Sequence, residues 1–215
     1  MGTITAAQII DEAVSTLQDP AAVTWPRAEL FAYVNDGQRD ACIVKPDAYV
    51  LNQTLVLVAG TRQLLPAAGA AFIRLVRNMG QDGQTPGRAP RAMAIETLDR
   101  ENPNWHSDVS NPVVLEYAFD LREPKAFYVS PPQPLTGRGQ VDVTFCAIPP
   151  DLGAESTPII LDDIYKTALV HYVLYRAYLK EGELQNNADA IAHRAEFLAL
   201  LGTKDESEAK AQGAA

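Results

Sequence analysis

The sequence predicts an α+β protein, a helical bundle formed by the N- and C-terminal helices with an inserted antiparallel β-rich region. Three observations carry that prediction. Apolar residues recur every three or four positions between residues 6 and 41, and again between 161 and 201. Between residues 49 and 147 the period falls towards two. Prolines and glycines punctuate the junctions, where they end helices and turn the chain. The expected organisation is N-terminal helices over 1–48, a β-rich insertion over 49–150, C-terminal helices over 151–202 and a flexible tail over 203–215.

Each element has a local reason. Thr5, with Gln8 three residues on, has the form of a capping box, and Ala6, Ile9, Ile10, Ala13, Val14 and Leu17 then share one helical face. Asp19-Pro20 ends that helix. A second helix starts near Thr24, Trp25 and Pro26, since proline suits a first turn, and Leu30, Val34 and Ala41 continue its face. Asn35-Asp36-Gly37 has the composition of a hairpin turn, but its flanks keep the helical period. A glycine inside a helix costs only about 1 kcal/mol, and on an apolar stripe it lets another backbone approach closely. Lys45-Pro46 closes the helix.

Tyr49 to Ala59 reads as a strand closed by Gly60, and Thr61 to Pro66 as a short partner returning from it. Phe72 to Met79 is a further strand, Gly80 to Pro90 a loop, and Ala92 to Arg100 either strand or helix. Asn102 to His106 is a turn carrying the bulky anchor Trp105. Val113 to Asp120 and Val141 to Ala147 alternate as half-buried strands do, and Phe127 to Val129 forms another. The segment Ser130 to Gln140 reads as a loop, stiff with prolines at its start and flexible with glycines at its end. Asp162 caps a helix that Gly182 stops, and a last helix runs from about Asn187 to Leu201. The tail 203–215 has no apolar stripe and is expected to be mobile until a partner orders it.

Composition narrows function. The 215 residues are 47% hydrophobic and carry a formal charge of −9, with 27 acidic against 18 basic side chains. An acidic chain without a Lys/Arg cluster is poorly suited to grip phosphate backbones or anionic lipid. No apolar run approaches the roughly 20 residues a membrane helix needs, and no signal peptide is expected. "MGTITA" departs from a myristoylation signal at Ala6. Cys42 and Cys146 form neither a disulfide framework nor a zinc pattern and are expected to be reduced thiols, buried or half-buried.

Candidate chemistry is sparse. The glycines of residues 80–90 lack the spacing and the Lys-Ser/Thr pair of a phosphate loop. His106 stands beside Ser107 and Asp108, but neighbours in sequence seldom face one another, and a triad is built from distant segments. His171 has Thr167 and Tyr175 one turn away, so it lacks a ligand or base at helical spacing. His193 has Asp189 four residues before it, which reads as a simple helix pair. Asp162 and Asp163 suit a cap and first turn, and Glu181 and Glu183 a solvated helix end. No catalytic, cofactor or metal site is predicted.

The helix from Leu161 to Gly182 is apolar on several sides and contains four tyrosines. Such a helix must be covered all round, and part of the cover is expected from a neighbouring subunit. Tyr165, His171, Tyr172, Tyr175, Tyr178, Phe197, Leu201 and Lys204 are therefore the candidate residues for a subunit or partner interface. The aromatic set Tyr117, Phe119, Phe127, Tyr128 and Phe145 is expected to form the core of the β region, its alternative being a ligand- or peptide-binding surface.

Five phrases occur in order: W-P-x-x-E-L-x-x-Y-V-N-D-G-Q-R-D (25–40), R-N-M-G-x-D-G-x-x-P-G-R-A (77–89), N-P-N-W-H (102–106), F-Y-V-x-P-P (127–132) and D-x-Y-K-T-A-L-V-H-Y-V-L-Y-R-A-Y (163–178). Together they resemble the adaptor, or head-to-tail connector, proteins of tailed bacteriophages, over residues of roughly 5 to 202. The resemblance implies a structural virion protein without enzymatic activity or cofactor. It implies a homo-oligomeric ring, commonly of twelve copies, bound to the portal protein of the head and receiving a tail or nozzle protein. DNA would pass through the ring without specific binding, and assembly would occur in the host cytoplasm, away from any membrane. A C-terminal segment would grip the portal.

Overall fold

A computed structural model describes residues 2–180 and 186–212, with side chains described through Gly202. In chain order the elements are α1 (Ala6–Leu17), α2 (Arg27–Val44), β1 (Val50–Val56), β2 (Gly60–Leu64), β3 (Gly69–Met79), β4 (Arg91–Ala92), α3 (Ile95–Glu101), β5 (Glu116–Ala118), β6 (Ala126–Gln133), β7 (Gln140–Ala147), α4 (Lys166–Tyr178) and α5 (Asn187–Gln212). The chain is α+β and divides into two compact units, Met1–Tyr49 with Pro149–Ala215, and Val50–Ile148.

In the helical unit the capping box forms: Gln8 N donates to Thr5 Oγ1, and Thr5 N donates to Gln8 Oε1 at 2.9 Å. The connection to α2 is tied by Asp19, whose carboxylate accepts from the backbone N–H groups of Val23, Thr24 and Trp25. Those bonds, that from Trp25 first, hold the Asp19 carboxyl below its ordinary range. Trp25 Nε1 donates to the carbonyl of Ala177 at 3.0 Å, satisfying a carbonyl in the last turn of α4. One core cluster joins Ile9, Ile10 and Ala13 of α1, Leu30 and Val34 of α2, and Leu169, Val173 and Leu174 of α4. A second joins Ala41 of α2, Leu161, Tyr165, Ala168 and Tyr172, and Phe197 and Leu201 of α5.

Gly37 is buried in α2, as its place on an apolar stripe predicts. A β-carbon there would stand 2.9 Å from the Tyr172 ring and 3.2 Å from a Leu169 methyl, so the missing side chain is what lets α4 approach. Asp162 does serve as a cap, but of a short 3₁₀ turn, Asp163–Tyr165, from which α4 continues. Asp163 does more than charge a first turn. It accepts from Thr3 N at 2.7 Å, Ile4 N at 2.9 Å and Thr3 Oγ1 at 2.7 Å, fastening the segment before α1. The expected stop at Gly182, together with Glu181 and Glu183, lies outside the described residues. α5 runs past the expected end at Leu201, to Gln212.

The β unit has a three-stranded sheet of order β1-β7-β3 and a four-stranded sheet of order β2-β6-β5-β4. The expected antiparallel pairing holds except between β4 and β5, which are parallel. β2 does not return on β1, as the sequence suggested; β1 pairs with β7 and β2 with β6. Ala92 to Arg100 resolves into both alternatives, the end of β4 and then α3. The strand expected over Val113–Asp120 shrinks to Glu116–Ala118, because the Asn78 side-chain amide takes the backbone N–H and C=O of Val114 that a ladder would use. The strand expected at Phe127–Val129 is longer. β6 runs on through Pro131 and Pro132, leaving a loop of residues 134–139.

β3 is buried at Gly69, Phe72, Leu75 and Asn78, a spacing of three rather than two. Its register against β7 shifts three times, and each shift places an extra residue opposite one partner. The bulges thus convert an irregular apolar pattern into one continuous inner face. There Phe72 stacks on Phe127 at 4.7 Å between centroids and meets Tyr117 edge-on at 5.9 Å, joining the two sheets. Phe145 is fully buried as well.

Candidate functional site

α4 is the central element of the helical unit, and its own chain supplies most of its cover. α1 and α2 bury Leu169, Val170, Val173 and Leu174. α2 and α5 bury Tyr165, Ala168 and Tyr172 together with Phe197 and Leu201. Of the candidate interface residues, Tyr165, Tyr172, Phe197 and Leu201 are therefore internal, while His171, Tyr175 and Tyr178 are half-buried. The Lys204 side chain lies outside the described residues.

Around the half-buried tyrosines the polar groups are paired. Arg194 of α5 lies over the rings of Tyr172, Tyr175 and Phe197 at 5.9, 5.3 and 5.2 Å and reaches Asp40 at 3.3 Å. Arg176 lies over Tyr33 at 4.9 Å and reaches Asp36 at 3.4 Å. Lys180 Nζ donates to Glu29 at 2.6 Å and to the Thr24 carbonyl at 2.9 Å. Burial, reinforced by the bond it donates to Glu29, pushes the Tyr33 hydroxyl up to about 12.

Between α4 and α5 the surface opens into a largely apolar groove of about 470 Å³, lined by Tyr175, Leu179, Ala190, Ile191, Arg194, Ala195 and Leu198. Ile191 is 70% exposed, Leu198 41% and Leu179 39%, a concentration of apolar surface on one side of one unit. Sequence spacing could not show this groove, because its two walls are joined through residues 181–185.

His171 and His193 meet across the two helices. Their Nδ1 atoms are 2.8 Å apart, so one nitrogen carries a proton and donates it to the other. The Tyr178 ring lies parallel to that of His193 at 5.6 Å. His171 has no partner at helical spacing, as the sequence indicates, but it has one on the next helix. Asp189 is fastened to Asn186 rather than to His193 and acts on the imidazole only through its charge.

Burial, then the neighbouring His171, holds the His193 pKa below its ordinary value, against the opposing charges of Asp189 and Glu196. The folded chain therefore takes up this proton less readily than the unfolded chain. Stability from this contact is complete above about pH 6.5, the ordinary histidine value, and is lost as the pH falls below it. Melting curves from pH 8 to 5 should show that loss, and His193→Phe should flatten it. An unchanged slope in the variant would place its origin elsewhere.

The other candidate residues do not assemble into chemistry. His106 Nδ1 is 2.8 Å from Thr61 Oγ1, while Asp108 accepts from Asn102, so the neighbouring Ser-His-Asp residues do not form a relay. In the loop after β3 the Asp82 carboxylate accepts from the Thr85 hydroxyl and then from the N–H groups of Thr85 and Gln84, which lowers its carboxyl to about 2. Those donors are thus unavailable to a phosphate. Cys42 is half-buried and Cys146 buried, with no disulfide between them. Among the described residues no group of three or more His, Cys, Asp or Glu could hold a metal ion. Among them also, no helix is long and apolar enough to cross a membrane.

The features that stand out are contact features: an apolar groove, paired aromatic and arginine side chains, and two compact units. They belong to an α+β protein of two compact units. A model of the family described as SU10 adaptor protein matches residues 4–215, and the chain belongs to this family of phage adaptor proteins. Its role is accordingly that of a structural adaptor in a virion. No curated protein matches the chain.

Proposed function

We propose that this adaptor forms a ring, of twelve copies as is common for such proteins, beneath the portal of the phage head. The tail or nozzle protein would attach to its lower face, and DNA would pass through its channel. The observation that carries the reading is the family match across residues 4–215. The distribution of charge supports it. All of the excess negative charge belongs to the helical unit, with eighteen carboxylates against nine basic side chains, whereas the β unit has nine of each. Carboxylates lining a channel repel the phosphate backbone and let it slide, where a basic lining would retain it.

In this reading the N- and C-terminal helices are the bundle that packs as a wedge around the ring. The groove between α4 and α5, with Tyr175 at its wall and His171 and Tyr178 beside it, meets the next copy. Tyr165, Tyr172, Phe197 and Leu201 fix the shape of that face from beneath. The end of α5 and the residues after it, Lys204 included, dock on the portal, and the β unit with its 134–139 loop faces the tail. Assembly takes place in the host cytoplasm, and the chemistry is that of contact rather than catalysis. Mixing the purified chain with portal rings and imaging by electron microscopy should show added density capping the portal. Portal rings that stay bare at saturating adaptor concentration would overturn the reading.

A further inference from the structure

The four sheet edges of the β unit are not equivalent. β3 carries Arg74 and Arg77 and has three register shifts. β2 carries Arg62 and one register shift, and β4 is two residues long and begins with Arg91. Charges, bulges and shortness are the devices by which proteins keep an open edge from pairing with another chain. β1 has none of them. It is seven residues long, Val-Leu-Asn-Gln-Thr-Leu-Val, without charge, proline or register shift. Among the described residues no backbone hydrogen bond reaches its outer edge.

The same seven residues read almost identically in both directions. About Gln53, Val50 mirrors Val56, Leu51 mirrors Leu55, and Asn52 mirrors Thr54. We propose that the outer edge of β1 pairs with β1 of a second copy, antiparallel and centred on Gln53, forming a two-fold dimer. The pairing matches on both faces. Leu51, Gln53 and Leu55 lie opposite Phe145, Val143 and Val141 of β7, on the inner face, and would meet Leu55, Gln53 and Leu51 of the second copy. Val50, Asn52, Thr54 and Val56 lie on the outer face and would meet Val56, Thr54, Asn52 and Val50. Apolar residues then face apolar and polar face polar, and two sheets of order β1-β7-β3 join at β1 into one. Val56, 62% exposed in the single chain, gains a cross-strand partner.

Such a contact closes on itself and adds no third copy, so it is distinct from ring formation and does not rest on that reading. A seven-residue strand pair buries less than the roughly 1,200 Å² typical of stable interfaces, so the dimer should be weak and depend on concentration. Sedimentation of the full chain from about 5 to 300 µM, the scale on which weak association is read, should show a mass rising from 23.3 kDa towards twice that value. Gln53 is exposed, so Gln53→Lys and Gln53→Glu leave the monomer folded while each sets like charges against each other on the two-fold axis. Each variant should dimerise at least ten-fold more weakly, and an equimolar mixture of the two should recover the dimer. A melting curve on each sample checks the fold. If position 53 proves intolerant, Val50→Lys/Val56→Lys should block the dimer and Val50→Lys/Val56→Glu should restore it. The proposal is overturned by a wild-type chain that stays monomeric at 300 µM, by a Gln53→Lys dimer as tight as wild type, or by folded charge variants that do not recover on mixing.

Discussion

Replacing Gly37 by leucine should lower the melting temperature by roughly 10 °C, one of the two largest single-residue effects expected in this chain. The reason is local. A β-carbon at position 37 stands 2.9 Å from the Tyr172 ring, and the rest of a leucine side chain has to enter the same space. Tyr172 cannot swing away freely. Its ring lies 5.9 Å from Tyr175 and 5.2 Å from Phe197, and its hydroxyl accepts from Arg176. Forcing α2 and α4 apart would also disturb the Arg176 and Arg194 pairs with Asp36 and Asp40. Overpacking of this kind costs about 3 kcal/mol. Gly37→Ala should come out within about 1 kcal/mol of wild type, because the helix propensity gained offsets a smaller displacement. Thermal denaturation followed by helical circular dichroism reads both. A leucine variant that melts like wild type would mean that the helices separate without loss, contrary to the packing described.

Gly37 also illustrates what was legible in the sequence. The helical period about it overrode a tripeptide with hairpin composition, and its position on the stripe implied the close approach that the structure contains. Long amphipathic segments such as α1 and α2 carry their own evidence, since every third or fourth residue repeats the same signal. The β unit was less legible because its pattern depends on partners. The three-residue spacing of Phe72, Leu75 and Asn78 makes sense only with the register shifts against β7. The shortness of β5 depends on Asn78, thirty-six residues before Val114. The His171–His193 contact and the groove beside it required knowing where α5 folds back, which no periodicity within α4 encodes. The palindrome of β1 was in plain view, but its meaning depends on β1 being an edge.

The second large effect concerns Trp105 and separates packing from chemistry at the Asn102–His106 turn. Trp105→Ala should destabilise the chain by about 3–5 kcal/mol, and His106→Ala by less than about 1 kcal/mol. Trp105 is fully buried against Leu98 and Ala118, with Tyr128 packed alongside, and its Nε1 donates to Asp99 at 2.8 Å. Removing the indole leaves a cavity beside Leu98 and Ala118, while the exposed Asp99 carboxylate is left to water. Trp105→Phe fills most of the space and should lose about 1 kcal/mol for the bond to Asp99. His106 is exposed, and truncation gives up its stacking on the outer side of the indole at 3.8 Å and its contact with Thr61, both at a solvated surface. The two substitutions therefore differ in kind. Loss of Trp105 should lower the yield of folded protein, and with it the yield of infectious particles, in proportion to the stability lost. Loss of His106 should leave both unchanged, because a turn that anchors α3 needs the indole and not the imidazole. Denaturant unfolding of the purified variants and a particle-assembly assay measure the two quantities independently. A His106→Ala chain that folds normally but fails to assemble particles would show that the imidazole does work which packing does not explain.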